Sequence, residues 1–226
     1  MIFSILDCTA DMDKKQNHHL RRYILSIGAI FPLITAAPAA FASSPAFDCQ
    51  TASGEIENLI CKDDTLATQD RELAKTYESA LKVAQSLGEG ANAAVKTLKA
   101  EQRGWISGRN DCWKDVEDKQ GCTLQAYQYR NAYLQARWRL LAPSHTVVYQ
   151  CKDATDEYVV SFFPTTPLES IAIERGDQSQ IFVSTVAASG TKYEGSFGKT
   201  FWAHGEDAMI TWEQNSPAAS CKSVPE

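Results

Sequence analysis

The chain has 226 residues, 44% of them hydrophobic and 22% charged, with a net charge of −6. That length suits one large or two small globular domains. The acidic balance gives a nucleic-acid partner no electrostatic support.

The first segment reads as a signal peptide over residues 1–42. Lys14, Lys15, Arg21 and Arg22 form a basic start, and YILSIGAIFPLI (Tyr23 to Ile34) is apolar but too short to span a bilayer. Ala40-Phe41-Ala42 has the small-x-small form of a cleavage site, which puts the mature start at Ser43. The residues ahead of the basic run suggest Met12 as the true start, and Cys8 then falls outside the protein. Six cysteines remain: Cys49, Cys61, Cys112, Cys122, Cys151 and Cys221. An even number in an exported chain reads as a disulfide framework. None has C-x-x-C spacing and few histidines accompany them, so no metal site is expected. Cys49 lies too far beyond the apolar run for lipid attachment, so a soluble periplasmic or secreted protein with no stable membrane anchor is expected.

Residues 43–142 read as a small helical bundle. A short first helix lies between Thr51 and Cys61. The second is LATQDRELAKTYESALKVAQSL, where Leu66, Asp70, Leu73, Tyr77, Leu81 and Ala84 recur at steps of three and four. Asp63, Asp64 and Thr65 offer capping groups before it, and Gly88 ends it. A third helix runs from Asn92 to Asn110 with Val95, Leu98, Trp105 and Ile106 on one side. A fourth covers Leu124 to Leu141 with Tyr127, Leu134 and Trp138. Trp105 and Trp138 fall on apolar stripes, so they read as core rather than as a sugar-binding surface.

Residues 146–226 change to period two. VVYQCK, EYVVSFF, SIAIER, QIFVSTVA, TKYEGS, KTFWAH and AMITWEQ are short runs rich in branched and aromatic residues, separated by Pro and Gly. So many short strands imply an antiparallel barrel or sandwich. A Cys151–Cys221 bridge would pin the first strand to the last segment across a loop of about seventy residues, worth roughly 3–4 kcal/mol by chain entropy. The acidity lies here: this half holds 5 Lys/Arg against 11 Asp/Glu, the helical half 13 against 14. Such a surface favours encounter with a basic partner.

Enzymatic chemistry finds little support. His145 and His204 are the histidines left after signal removal. Ser189 sits in AASGT, not in a G-x-S-x-G elbow, with no acid placed to orient His204. No phosphate-binding loop occurs, and no cofactor is expected. One stretch stands apart. SGTKYEGSFGKTFWAHG (Ser189 to Gly205) puts Ser, Lys and His on what reads as one hairpin. Within it Phe201 and Trp202 alternate, so one faces inward and the other packs under a neighbouring loop.

The barrel half resembles the MliC/PliC family of periplasmic and membrane-bound inhibitors of c-type lysozyme. The matching pieces are YQC (Tyr149 to Cys151), ASGTKY (Ala188 to Tyr193), FWAHGEDAMI (Phe201 to Ile210) and Cys221. The helical half resembles the N-terminal domain of LprI-type proteins, also linked to lysozyme inhibition. Its pieces are FDC (Phe47 to Cys49), ENLICKDDTLATQDRELAKTY (Glu57 to Tyr77), EQRGWISGRNDC (Glu101 to Cys112), Cys122, Tyr127 and Arg130. The first resemblance implies an eight-stranded antiparallel barrel, and so an α+β two-domain chain. It implies a loop that enters the lysozyme cleft, with Ser189, Gly190, Lys192, Tyr193 and His204 as the binding residues and no catalytic residue. A hydroxyl such as Ser189 bonds a carboxyl in either protonation state, and a neighbouring cation strengthens the contact. Tyr193 would add a rigid amphipathic contact. The family's F-W-x-K-G lysine is His204 here, which makes the contact pH-sensitive, unless Lys192 supplies the cation. Cys112 and Cys122 flank a short connection and suit a local pair, leaving Cys49 with Cys61; crossed pairings that staple the first helix to the fourth are the alternative. Glu101, Gln102, Arg103 and Arg109 form either a polar helix face or a binding patch, the structural role being preferred. The expected partner is a basic c-type lysozyme. The alternative is an envelope module that binds peptidoglycan or another wall protein. Lysozyme preference and homodimerisation are left open.

Overall fold

The computed structural model describes residues 44–152 and 157–225. The signal peptide, its cleavage site, Met12 and Cys8 lie outside the described residues. The described residues belong to one compact unit.

Four helices come first: α1 (Glu55–Lys62), α2 (Asp64–Gln85), α3 (Ala91–Asn110) and α4 (Lys119–Arg137). The Glu57 carboxylate reaches back to accept from the Ser53 and Gly54 amides at 3.1 and 3.2 Å, closing the first turn of α1. Those bonds hold its carboxyl below the usual carboxylate range. Asp63 caps α2 by accepting from the Leu66 amide at 2.8 Å, as its place before the apolar stripe suggests. Leu66, Leu73, Ala80 and Ala84 of α2 meet Leu98, Tyr127 and Leu134 in the core, and Trp138 joins them there. Ile106, expected on the same side as Trp105, is exposed instead.

The largest boundary difference is at α4. Its start is set by Asp118, whose carboxylate accepts from the Gly121 amide at 2.7 Å. A Cβ at Gly121 would lie 2.1 Å from that carboxylate, so the cap requires glycine there. The opening turn is KQGCT, too polar and glycine-broken to register as helix by hydrophobic period. The helix ends at Arg137, not Leu141, because Arg139 turns to φ +49° and breaks the ladder.

Cys49–Cys61 and Cys112–Cys122 are both bridged, so the local pairing holds and the crossed one is excluded. The second bridge ties the end of α3 to the start of α4.

The remaining chain is a closed eight-stranded antiparallel barrel. Its strands are β1 (His145–Cys151), β2 (Glu157–Phe163), β3 (Ser170–Arg175), β4 (Gln178–Thr185), β5 (Thr191–Gly195), β6 (Thr200–His204), β7 (Asp207–Thr211) and β8 (Ala219–Ser223). Each strand pairs with the next, and β8 returns to β1, so no edge is left open. Cys151 and Cys221 face each other across that closing pair and are bridged. Alternate residues fill the interior, among them Tyr149, Tyr158, Phe182, Tyr193, Phe201 and Trp212.

One wall departs from alternation. Ser170, Ile171, Ala172 and Ile173 of β3 are all buried. Their outer face is covered by α4: Ala136 and the half-buried Tyr133 pack on Phe163, Ala172 and Ile181. Arg139 reinforces the junction with an ion pair to Glu174 at 2.6 Å and its guanidinium 5.3 Å above the Phe163 ring. The helical half and the barrel therefore share an apolar seam.

Candidate functional site

The stretch from Ser189 to Gly205 forms β5, β6 and their flanking turns. Alternation on β6 sends Phe201 into the core and Trp202 outward, where it is 38% exposed. The Trp202 indole N–H donates to the Ser189 carbonyl at 2.8 Å and so holds the loop before β5 against the barrel. Gly190 lets that loop lie close. Its φ is +68°, and a Cβ there would fall 2.3 Å from the Ala203 carbonyl oxygen and 2.8 Å from the His204 ring. A side chain at this position would therefore push the loop off β6.

Lys192 stands directly across from Trp202 in the β5–β6 register, and Met209 across from Trp202 on β7. The His204 ring lies 5.2 Å from the Trp202 ring, centre to centre. Ser189, Gly190, Trp202, His204 and Met209 are all exposed, with Lys192 half-buried among them. Gly205, at φ +58°, turns the chain from β6 into β7 just beyond His204. The outcome is one outer patch: a hydroxyl, two basic side chains and an aromatic platform. The Lys192 ammonium is held by Glu194 at 2.7 Å.

Tyr193 does not join this patch. It is 2% exposed, with its ring among Phe162 and Phe201 in the barrel interior. Its hydroxyl donates to Glu169 at 3.0 Å, and burial pushes the phenol pKa up, with the Glu169 charge adding to it. The residue braces the floor beneath Lys192 and Glu194, whose side chains alternate outward around it. Trp202 and Met209 share this outer patch although the sequence reading did not include them. The available signal for Trp202 was its alternation with Phe201.

Three of the four polar residues singled out on α3 make contacts within the helical bundle. Arg109 is buried and donates to the Tyr127 hydroxyl at 2.7 Å and to the Asn110 side chain at 2.8 and 3.1 Å. Tyr127 in turn donates to Asp70 at 2.8 Å, which explains a carboxylate on the apolar stripe of α2. Gln102 accepts from Arg130 at 3.2 Å, with Glu101 3.9 Å from the same guanidinium. Arg103 stays exposed.

An exposed patch on a closed barrel, beside a disulfide-tied helical bundle, suits a protein that works by binding. Residues 149–219 match the family described as membrane-bound lysozyme-inhibitor of c-type lysozyme, MliC. Residues 48–141 match the family described as lysozyme inhibitor LprI. A match to the LprI family model is thus followed by a match to the MliC family model, both families being described as lysozyme inhibitors. No curated protein matches it. Among the described residues, no helix is long and apolar enough to cross a membrane.

Proposed function

We propose that this chain is an exported, non-catalytic inhibitor of c-type lysozyme, acting in the periplasm or after secretion. In this reading the Ser189–Gly190 loop enters the sugar cleft, and a basic side chain beside it meets the catalytic carboxylates. The observation that carries it is the loop's construction. Ser189 is exposed while its carbonyl is fixed by Trp202, and Lys192 and His204 flank it on the same face. A lysozyme cleft holds one carboxyl acting as acid and one that stays ionised. A hydroxyl satisfies either form, and a cation in that partly dry site makes a charge-assisted bond. A pre-positioned loop also loses less entropy on binding than a mobile one.

The test is lysis of a peptidoglycan suspension by a c-type lysozyme with the oxidised protein added. Wild type is expected to inhibit, and Ser189→Ala to weaken inhibition by about tenfold, the size of one charge-assisted hydrogen bond. Undiminished lysis at micromolar protein, together with retention on wall glycan alone, would assign the chain to wall binding instead.

A further inference from the structure

A groove of about 700 Å³ opens where the helical half meets the barrel. Trp105, Gly108, Ala126 and Tyr129 form its helical wall, and Val183 and Glu194 its barrel wall. Val186 stands at the same groove, 96% exposed, at the start of the connection that carries Ser189 three residues on. Groove and loop are joined by charge as well as by chain. Glu194 lines the groove while its carboxylate pairs with Lys192, 2.7 Å away on the loop patch. Its charge also reaches Tyr129 on α4, whose phenol pKa is raised by burial, Tyr133 and then Glu194. Arg109 touches the groove too, but its guanidinium is spent on Tyr127 and Asn110.

Apolar and aromatic walls with a carboxylate at hand suit a long side chain that has an aliphatic stem and a cationic head. We propose that the groove is a second contact surface for the lysozyme molecule that the loop engages, receiving a Lys or Arg from the rim of its cleft. This inference rests on the inhibitor reading. The continuity of the two surfaces favours the same partner. So does charge, because residues 146–226 hold 5 basic against 11 acidic residues, and a second copy of this chain would bring two such surfaces together. Binding then exchanges ion pairs. Glu194 takes the partner's cation, and Lys192 is released toward the carboxylates in the cleft. The helical half contributes to inhibition by supplying one wall.

The experiment uses the full chain and measures the inhibition constant for a basic c-type lysozyme, with sedimentation of the free protein alongside. Gly108 is exposed and a Cβ built there meets nothing within 4 Å, so Gly108→Arg adds bulk and positive charge to the groove without disturbing the fold. It is expected to weaken inhibition about tenfold at unchanged Tm, and Glu194→Gln about threefold. Inhibition unchanged by Gly108→Arg while Ser189→Ala weakens it would overturn the groove contact and leave the loop reading standing. Glu194→Gln that tightens inhibition would show that Glu194 merely competes for Lys192, and would overturn the exchange. A change in self-association without a change in inhibition would give the groove to a second copy. A wild type that does not bind lysozyme overturns both readings.

Discussion

Gly190 meets the strictest steric demand in the loop patch. Its left-handed backbone and its approach to the Ala203 carbonyl leave no room for a methyl group. Gly190→Ala should therefore displace the loop, cost about 1–3 kcal/mol by thermal unfolding, and weaken inhibition at least as much as Ser189→Ala. Full inhibition with an unchanged Tm would show that the loop tolerates the shift. His204 carries a different prediction. A histidine gains charge as pH falls through neutrality, whereas a lysine keeps it throughout. Beside lysozyme carboxylates the protonated ring is favoured in the complex. The His204 contribution to binding is then expected to grow as pH falls from about 7.5 to 6. With the lysozyme's own titration controlled for, His204→Lys should give the flatter profile; an equally flat wild type would remove His204 from the contact. Tyr193 shows how a residue inside a recognisable motif can have another task. It alternates inward between Lys192 and Glu194, and its ring packs in the barrel interior.

At the scale of elements, the termini of the helices were the least legible parts. Asp63 could be read as a cap because an apolar stripe follows it at once. Asp118 could not, because α4 opens on a polar turn whose only requirement is a glycine under the carboxylate. Glu57 illustrates the energetics of such ends. Its carboxyl is held low by two backbone amides, so it contributes stability above its unfolded titration range and loses it as pH falls through the folded value. Glu57→Gln should flatten the dependence of Tm on pH between about pH 5 and 3. An acid limb identical to that of wild type would mean that α1 takes no part in acid unfolding. Most strands were easier, since alternation and turn residues bound β1 to β6 within two positions; β7 ends at Thr211 rather than Gln214, and β8 was not among the runs that alternation marked. β3 is the instructive exception, its two faces covered by the barrel core and by α4.

For the whole molecule, closure of the barrel and its seam with α4 decide what a partner meets. The Cys151–Cys221 bridge lies on the closing pair of strands and spans 70 residues. Replacing both cysteines by serine should cost roughly 3–5 kcal/mol in denaturant unfolding of the barrel. A loss below about 1 kcal/mol would mean that strand pairing alone closes it. Local periodicity by itself determined that a helical half precedes a β half, because periods of 3.6 and 2 are written into neighbouring residues. The motif pieces determined the two family resemblances, and an even cysteine count foretold a disulfide framework. Tertiary structure alone decided the rest. It selected local over crossed pairing among four cysteines, since spacing does not say which sulfurs meet. It turned Trp202 outward beside Ser189 and Tyr193 inward, and it set α4 against β3 and β4 to open a groove beside the loop. Such facts depend on contacts between residues far apart in the chain, where no local pattern records which faces come together.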